Sequence, residues 1–181
     1  TLKQRFRSKG KSLLRVSHLH QTAIGAVLQH DILEFFEEKI REIDLLVFSD
    51  FNYGVLPQKV VDQLIRLGKL HHVMMVADSQ SSSQIGDISR FSGMDLITPT
   101  EREARISTRN HEDGLVVMAE ELRQLSEATN ILLKLGGEGV LIHADNDEVD
   151  GWLTDRVCAL NSVSRDVAGA GDSLLIASAM T

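Results

Sequence analysis

The sequence predicts an α/β fold: a doubly wound, mainly parallel sheet with helices on both faces, plus an antiparallel hairpin region toward the C-terminus. Three observations predict it. Short, nearly all-apolar runs at 44–49, 72–77, 94–98 and 131–135 alternate with segments of helical periodicity, the rhythm of right-handed β-α-β crossovers. The first two runs end at an acid, Asp50 and Asp78, which suits strands buried on both faces whose carboxyl ends meet polar ligands. Beyond Gly136 the rhythm changes to short alternating segments separated by turn residues, the signature of a hairpin.

Taken in order, the first strand is expected at 12–16, and the helix after it at 26–43, with Leu28, Ile32, Phe35, Phe36, Ile40 and Ile43 tracing one face. After the run 44–49, Pro57 opens a helix to about Leu70, at the first helical position, with Val60, Val61, Leu64, Ile65 and Leu67 inward. His71 and His72 enter the strand 72–77, and the loop that begins Ser79-Gln80 follows at a strand's carboxyl end. Thr100 starts a short helix after 94–98, and a longer one covers 112–128 before the strand 131–135. Segments 139–144 and 149–154 pair around a turn at 145–147, with a further short strand at 157–160. The helix 169–180 is rich in small residues and built for close packing.

A length of 181 residues fits one domain. The net charge of −7 excludes a globally basic coat and with it nucleic acid as partner. The charge is uneven: residues 1–15 hold Lys3, Arg5, Arg7, Lys9, Lys11 and Arg15 and no acid, so one end can attract an anion. No apolar run approaches the ~18 residues of a membrane span, and the lone Cys158 removes intrachain disulfides and thiolate metal clusters. With no apolar signal segment behind the basic start, the expected address is cytoplasmic.

The most specific segment is Asp166-Val167-Ala168-Gly169-Ala170-Gly171-Asp172, directly before the last helix. Small residues there let backbone N–H groups approach an anion at a helix N-terminus. A carboxylate beside an anion site is repulsive unless it accepts a proton, so Asp172 reads either as a general base or as a helix cap. A dinucleotide fingerprint fits poorly, because the glycines lack the G-x-G-x-x-G spacing and Lys134-Leu135-Gly136-Gly137-Glu138-Gly139 leads into a strand. His18 and His20 share a strand face without a third ligand at zinc spacing.

D-V-A-G-A-G-D at 166–172, K-L-G-G-E-G at 134–139 and T-P-T-E-R-E-A at 98–104, in that order, resemble the ribokinase or PfkB-type carbohydrate kinases. S-D-F-N-Y-G-V-L-P at 49–57 is most similar to the heptose-phosphate kinase branch. The resemblance implies a ribokinase-like fold, ATP and Mg²⁺ as cofactors, and phosphorylation of a sugar or sugar-phosphate hydroxyl, with a heptose phosphate as candidate. It implies that Asp172 is the catalytic base and that Gly169, Ala170 and Gly171 form the anion hole. It places Lys134, Gly136, Gly139 and Thr100 toward the nucleotide and Glu103 toward Mg²⁺ through water, Thr100 standing where the family's Asn-x-x-Glu has Asn. Thr-x-x-Glu opening a helix is equally a capping box. Residues 1–20 become flap strands over the sugar and a homodimer surface, with Arg5 and Arg7 clamping a phosphorylated sugar; a charged edge strand that discourages pairing reads the same way. Residues 21–181 become the nucleotide-binding core. Two positions that are usually basic in that branch are Tyr53 and Gln80. With Thr100 they keep a second reading open, a degenerate kinase-like module that binds a nucleotide or a partner without transfer. Relative to the family the chain is short at both ends, so it is expected to be a partial domain, catalytically incomplete by itself.

Overall fold

The computed structural model describes residues 2–8, 11–19, 22–80, 86–146, 151–160 and 169–180. It contains two sheets. Strands β1 (Leu2–Ser8) and β2 (Lys11–His18) form an antiparallel two-stranded sheet of their own, with a register shift after Phe6. The second sheet holds β3 (Leu45–Asp50), β4 (Met74–Ser79), β5 (Leu96–Ile97), β6 (Asn130–Lys134), β7 (Val140–Asp145) and β8 (Trp152–Val157), in that spatial order. The first four are parallel, and β7 and β8 run antiparallel. The expected mixed sheet is therefore present, with Asp50, Asp78 and Pro99 at one edge.

Each crossover from β3 to β6 steps in the same direction, so helices of one handedness gather on one face. That face carries α1 (Ala26–Lys39), α2 (Gln58–Leu70), α3 (Glu101–Thr108) and α4 (Leu115–Ser126), packed around Phe48, Met75, Ala77, Ile97, Ile131 and Leu133. Helix α5 (Ala170–Ala179) covers the other face, where Leu175 packs with Val76, Leu96 and Leu132. The alternation of Val76 against Met75 and Ala77 is the period-two reading of a strand with both faces covered. In α2 the inward set Val60, Val61, Leu64 and Ile65 is buried as the sequence spacing requires, each contributing roughly 1.5–3 kcal/mol by leaving water.

Several boundaries differ from expectation for physical reasons. In α1 and the short turn that follows it, Phe36 and Ile40 are buried, Ile32, Leu33 and Ile43 pack beside them, and Leu28 and Phe35 are exposed. Phe35 sits about 100° around the helix from Phe36, so the buried stripe is centred further round than the apolar residues alone indicate. Strand β3 lies at one end of the sheet order and is only half-buried over Leu45–Val47; it is not covered on both faces. Pro57 is the N-cap rather than the first helical residue. His71 caps α2 and His72 adopts a left-handed turn, so neither enters the strand. The hairpin's second strand is Trp152–Val157, and residues 158–160 are not a strand. Residue 147 of the expected turn and 149–150 of the expected strand after it lie outside the described residues, as do 81–83 of the serine-rich loop.

Candidate active site at the carboxyl edge of the sheet

Four parallel strands end on one edge, and their last residues differ in how fully they are partnered. Asp50 is satisfied: it accepts from the Asn52 backbone N–H at 2.9 Å and from Arg90 Nη1 at 3.1 Å. Arg90 also donates to the Leu56 carbonyl and lies 5.0 Å over the Phe91 ring. Asp50 thus holds the turn that follows β3, the turn-capping alternative for an acid at that place. Its main-chain carbonyl also accepts from Gln80 N at 2.8 Å.

Asp78 is different. It is 1% exposed at the end of β4, and Lys134 Nζ reaches it from the end of β6 at 2.9 Å, spanning the short strand β5 between them. Among the described residues, Asp78 Oδ2, Thr98 Oγ1 and Asp172 Oδ1 are buried here without a hydrogen-bond partner. Burial pushes the Asp78 carboxyl up from its ordinary value, Lys134 opposes this, and the Glu103 and Asp172 carboxylates add to the rise. Three carboxylates therefore share one neighbourhood with a single ammonium, and buried polar atoms left unpaired mark a place prepared for something else.

Thr100 caps α3, and both halves of the capping box are formed. Thr100 N and Oγ1 each donate to Glu103 Oε2 at 2.8 Å, and Glu103 N donates to Thr100 Oγ1 at 3.3 Å. Glu103 is buried, and its charge is felt at Asp78. The cap holds it at the same edge as the orphaned carboxylates.

Gly169 is the N-cap of α5 with φ 78°, a left-handed value that suits glycine. Ala170 and Gly171 follow, and Asp172 is the third helical residue. Asp172 is therefore not the capping residue. A Cβ on Gly171 would lie 3.3 Å from Lys134 Nζ and 3.7 Å from Asp78 Oδ2, so the absent side chain lets the first turn of α5 sit directly on the ion pair. Residues 166–168 of the glycine segment lie outside the described residues.

The remaining expected residues are spread around this centre. Gly136 is exposed in a short turn, and Gly139, with φ 96°, is approached by the backbone of residues 157–159, where a Cβ would meet the Val157 carbonyl oxygen at 2.0 Å. Gly139 thus has a packing requirement of its own. Arg5 and Arg7 are exposed on β1. Lys3 makes a contact between that hairpin and the sheet edge, its ammonium lying 4.6 Å from the ring centroids of both Phe51 and Tyr53. His18 is exposed, His20 lies outside the described residues, and no group of three metal-ligating side chains occurs among the described residues. Shallow clefts between α1 and α2, lined by His30, Leu33 and Gln63, contain none of these residues.

Sequence reasoning missed a second buried polar cluster. His143 is fully buried on β7, with Nε2 2.9 Å from Glu120 Oε2 and Nδ1 2.8 Å from Thr154 Oγ1. Glu120 on α4 also accepts from Arg123 Nε at 2.8 Å and Gln124 Nε2 at 2.7 Å. The Arg123 hydrogen bond, with help from His143 and Gln124, holds the Glu120 carboxyl down to about 2 against the cost of burial. The Trp152 ring closes over His143 at 5.7 Å. A histidine in an alternating strand carries no sequence mark of burial, and the one local signal in this cluster is the spacing of Glu120 three residues before Arg123.

A described family matches most of the chain: the model for "pfkB family carbohydrate kinase" covers residues 18–177. The chain belongs to the pfkB family. Within it, the chain is 29% identical over 179 residues to "Bifunctional protein HldE" of Helicobacter pylori strain HPAG1, covering 97% of this chain and 36% of that relative. A protein of the same description from Desulfatibacillum aliphaticivorans is 26% identical over 178 residues, covering 97% and 35%. The chain thus spans about a third of the length of the curated relatives it matches. Phosphofructokinase-2 of Escherichia coli, solved with substrates and products, superposes with TM-score 0.69 at 19% identity over 95% of this chain and 54% of that one. Arabidopsis thaliana ribokinase, solved with ribose and ATP, gives 0.57 at 16% identity over 83% and 44%. These likenesses confirm the ribokinase-like fold. Among the described residues no helix is long and apolar enough to cross a membrane.

Proposed function

We propose that the polypeptide carrying this chain transfers the γ-phosphoryl group of ATP to a hydroxyl of a sugar or sugar phosphate, with a heptose phosphate as the substrate class. The observation that carries the reading is Asp172: a carboxylate in the first turn of α5, its Oδ1 buried and unpartnered, on a helix whose N-terminus is built of Gly169, Ala170 and Gly171. Phosphoryl transfer needs positioning and charge stabilisation more than covalent participation by the protein. The acceptor oxygen attacks phosphorus, the bond to the leaving ADP breaks, and the hydroxyl proton passes to Asp172. The amides of the first turn of α5 face the charge that develops on the transferred group, where preset donors are most effective.

Gly136, Gly139 and Thr100 border the nucleotide in this reading, and Lys134 stands at its phosphate end. The orphaned Asp78 Oδ2 and Asp172 Oδ1, with buried Glu103, are a donor set of hard oxygens that fits Mg²⁺. Since no three of them converge as direct ligands, they would hold the ion through water. Bound there, Mg²⁺ supplies neutralisation of phosphate charge. Residues 1–20 form the sugar-covering flap, with Arg5 and Arg7 toward the substrate phosphate. The exposed Leu2, Phe6 and Leu14 of the same hairpin are the homodimer surface.

ADP release measured against a panel of neutral sugars, hexose phosphates and heptose phosphates tests the reading, with Asp172→Asn as control. Acceptor-dependent ADP release that Asp172→Asn abolishes supports it. Nucleotide binding without acceptor-dependent turnover on any of them transfers support to the module that binds without transfer, which the loss of basic residues at Tyr53 and Gln80 favours. Within the kinase reading, Arg5→Ala and Arg7→Ala should each raise KM for a sugar phosphate at least about tenfold while leaving that for ATP in place, since each removes a charge-assisted hydrogen bond of about 1.5–3 kcal/mol. Equal changes in both constants would make the strand purely structural.

A further inference from the structure

The hairpin β1–β2 is a sheet of two strands with every residue of β1 exposed, and a two-stranded sheet is marginal in water unless it packs on something else. One surface that receives it is the turn after β3. There Phe51 and Tyr53 stack, with ring centroids 6.1 Å apart and planes 16° from parallel. The Lys3 ammonium lies 4.6 Å from both centroids, within the roughly 6 Å at which a ring face attracts a cation. The turn is a firm support. Asn52, between the rings, has a left-handed φ of 57°. Its N–H donates to Asp50 Oδ1 at 2.9 Å, and its Nδ2 donates to Ser79 Oγ at 3.2 Å and to the Gln80 carbonyl at 3.0 Å. The ends of β3 and β4 thus brace the ring pair. The same turn holds the chain that leaves the hairpin: Ile24 N donates to the Gly54 carbonyl at 2.9 Å, and Gly54, at φ 86°, has no room for a Cβ against the Thr22 carbonyl.

The contact also fixes which way the hairpin faces. The register shift after Phe6 skips Leu13 on β2 and leaves β1 in step. Side chains alternate along a strand, so Lys3, Arg5 and Arg7 share one face of β1 and Leu2, Gln4 and Phe6 share the other. With Lys3 on the rings, the basic face is the one turned toward the sheet. We propose that Lys3 is a positioning residue: its ammonium, seated on Phe51 and Tyr53, clasps the hairpin to the turn after β3 and so presents the basic face of β1 to the carboxyl edge. The use of the clasp, though not the clasp itself, rests on the reading of the hairpin as a flap over the acceptor. Neutral rings suit this task, because they hold a cation without cancelling its charge, whereas a carboxylate in their place would neutralise part of the face offered to a phosphate.

The test reads the clasp before it reads turnover, in the full polypeptide. Amide hydrogen exchange followed by mass spectrometry reports the opening of β1 and β2 directly. Lys3→Met keeps the apolar stem and removes the charge. It should speed exchange in the hairpin about fivefold or more, two exposed cation–π contacts being lost, whereas Lys3→Arg should stay within about twofold of the unaltered protein. Phe51→Leu should speed exchange about two- to fivefold, and should add little once Lys3→Met is present. Lys3 and Phe51 are both exposed, so neither substitution endangers the fold. A hairpin unprotected from the outset, or one whose exchange Lys3→Met leaves unmoved, overturns the proposal. So does a Lys3→Arg variant that behaves like Lys3→Met, or additive effects of Lys3→Met and Phe51→Leu. KM then judges what the clasp is for. Lys3→Met and Phe51→Leu should each raise KM for a sugar phosphate about twofold or more, with that for ATP in place, because the covering form is less populated. A rise in Lys3→Met that Phe51→Leu does not share would make Lys3 a direct phosphate contact and overturn the positioning role. Faster exchange with both KM values unmoved keeps the clasp and removes the flap reading instead.

Discussion

Two of the charged clusters that the described residues bury, around His143 and around Asp78, are finished to different degrees. Around His143, every contact the structure gives is closed: both ring nitrogens have partners, and Glu120 is shared among Arg123, Gln124 and the imidazole. Around Asp78, the ion pair with Lys134 leaves one oxygen of Asp78, one of Asp172 and the Thr98 hydroxyl unpaired. A closed network rigidifies a core, whereas an open one costs stability and persists where a ligand completes it. The contrast predicts that substitutions in the first cluster act on folding and those in the second act on chemistry.

The largest expected effect tests the open cluster. Asp172→Asn should lower turnover by about two to four orders of magnitude, the usual contribution of a positioned base, with thermal stability and ATP affinity nearly unchanged. If more than about a tenth of the activity remains with chemistry rate-limiting, the contrast breaks at its strongest point. The reciprocal test is His143→Ala, which opens a cavity beneath Trp152 and removes one of the three partners of Glu120, and should cost about 3 kcal/mol in denaturant unfolding, while turnover per folded molecule is preserved.

Next comes pH. Glu120 is held down to about 2 from its ordinary 4.5, so its folded form binds its proton less readily than its unfolded form. The stability it contributes is complete above about 4.5 and is lost as pH falls toward about 2, at most about 3 kcal/mol in all. Glu120→Gln should flatten that acid limb of the stability curve, and an unaltered limb would place the acid-sensitive group elsewhere. The smallest effect sharpens the boundary between the clusters. Glu103→Gln disturbs a formed capping box, worth about 1 kcal/mol. As an organiser of Mg²⁺ it should also raise the metal concentration needed for half-maximal turnover. A stability loss with an unaltered metal requirement would assign Glu103 to the closed class.

How much of this was legible in the sequence follows from what each feature depends on. The parallel strands, α2 and the Thr100 cap are local patterns, written in apolar runs, a proline and a Thr-x-x-Glu, and the structure has them. Asp78 and Lys134 were each conspicuous, but their pairing joins positions 56 residues apart across an intervening strand, and no periodicity encodes that. His143 was invisible for the same reason. Phe35 shows the opposite failure, an apolar residue at helical spacing that the fold leaves exposed, because which part of an apolar arc turns inward is decided by the neighbouring element. The order of motifs, which belongs to the resemblance, located α5 and Asp172, whereas the glycine spacing alone left a cap and a base undecided.

The reversal of strand direction after β6 has a consequence for where the chain can grow. Because β7 runs back from Gly139 and β8 returns to Val157, Asn146 and Gly151, joined by a backbone hydrogen bond of 3.3 Å, stand at the far end of the sheet, a β7 of six residues, or about 20 Å, away from the strand ends that carry Asp78 and Lys134. Gly139, at the other end of β7, is hemmed in by the backbone of 157–159. Extra residues, a tag or an inserted epitope placed between Asn146 and Gly151 would be added at the end remote from the crevice, while one residue added beside Gly139 would shift the very edge on which the buried carboxylates are spaced.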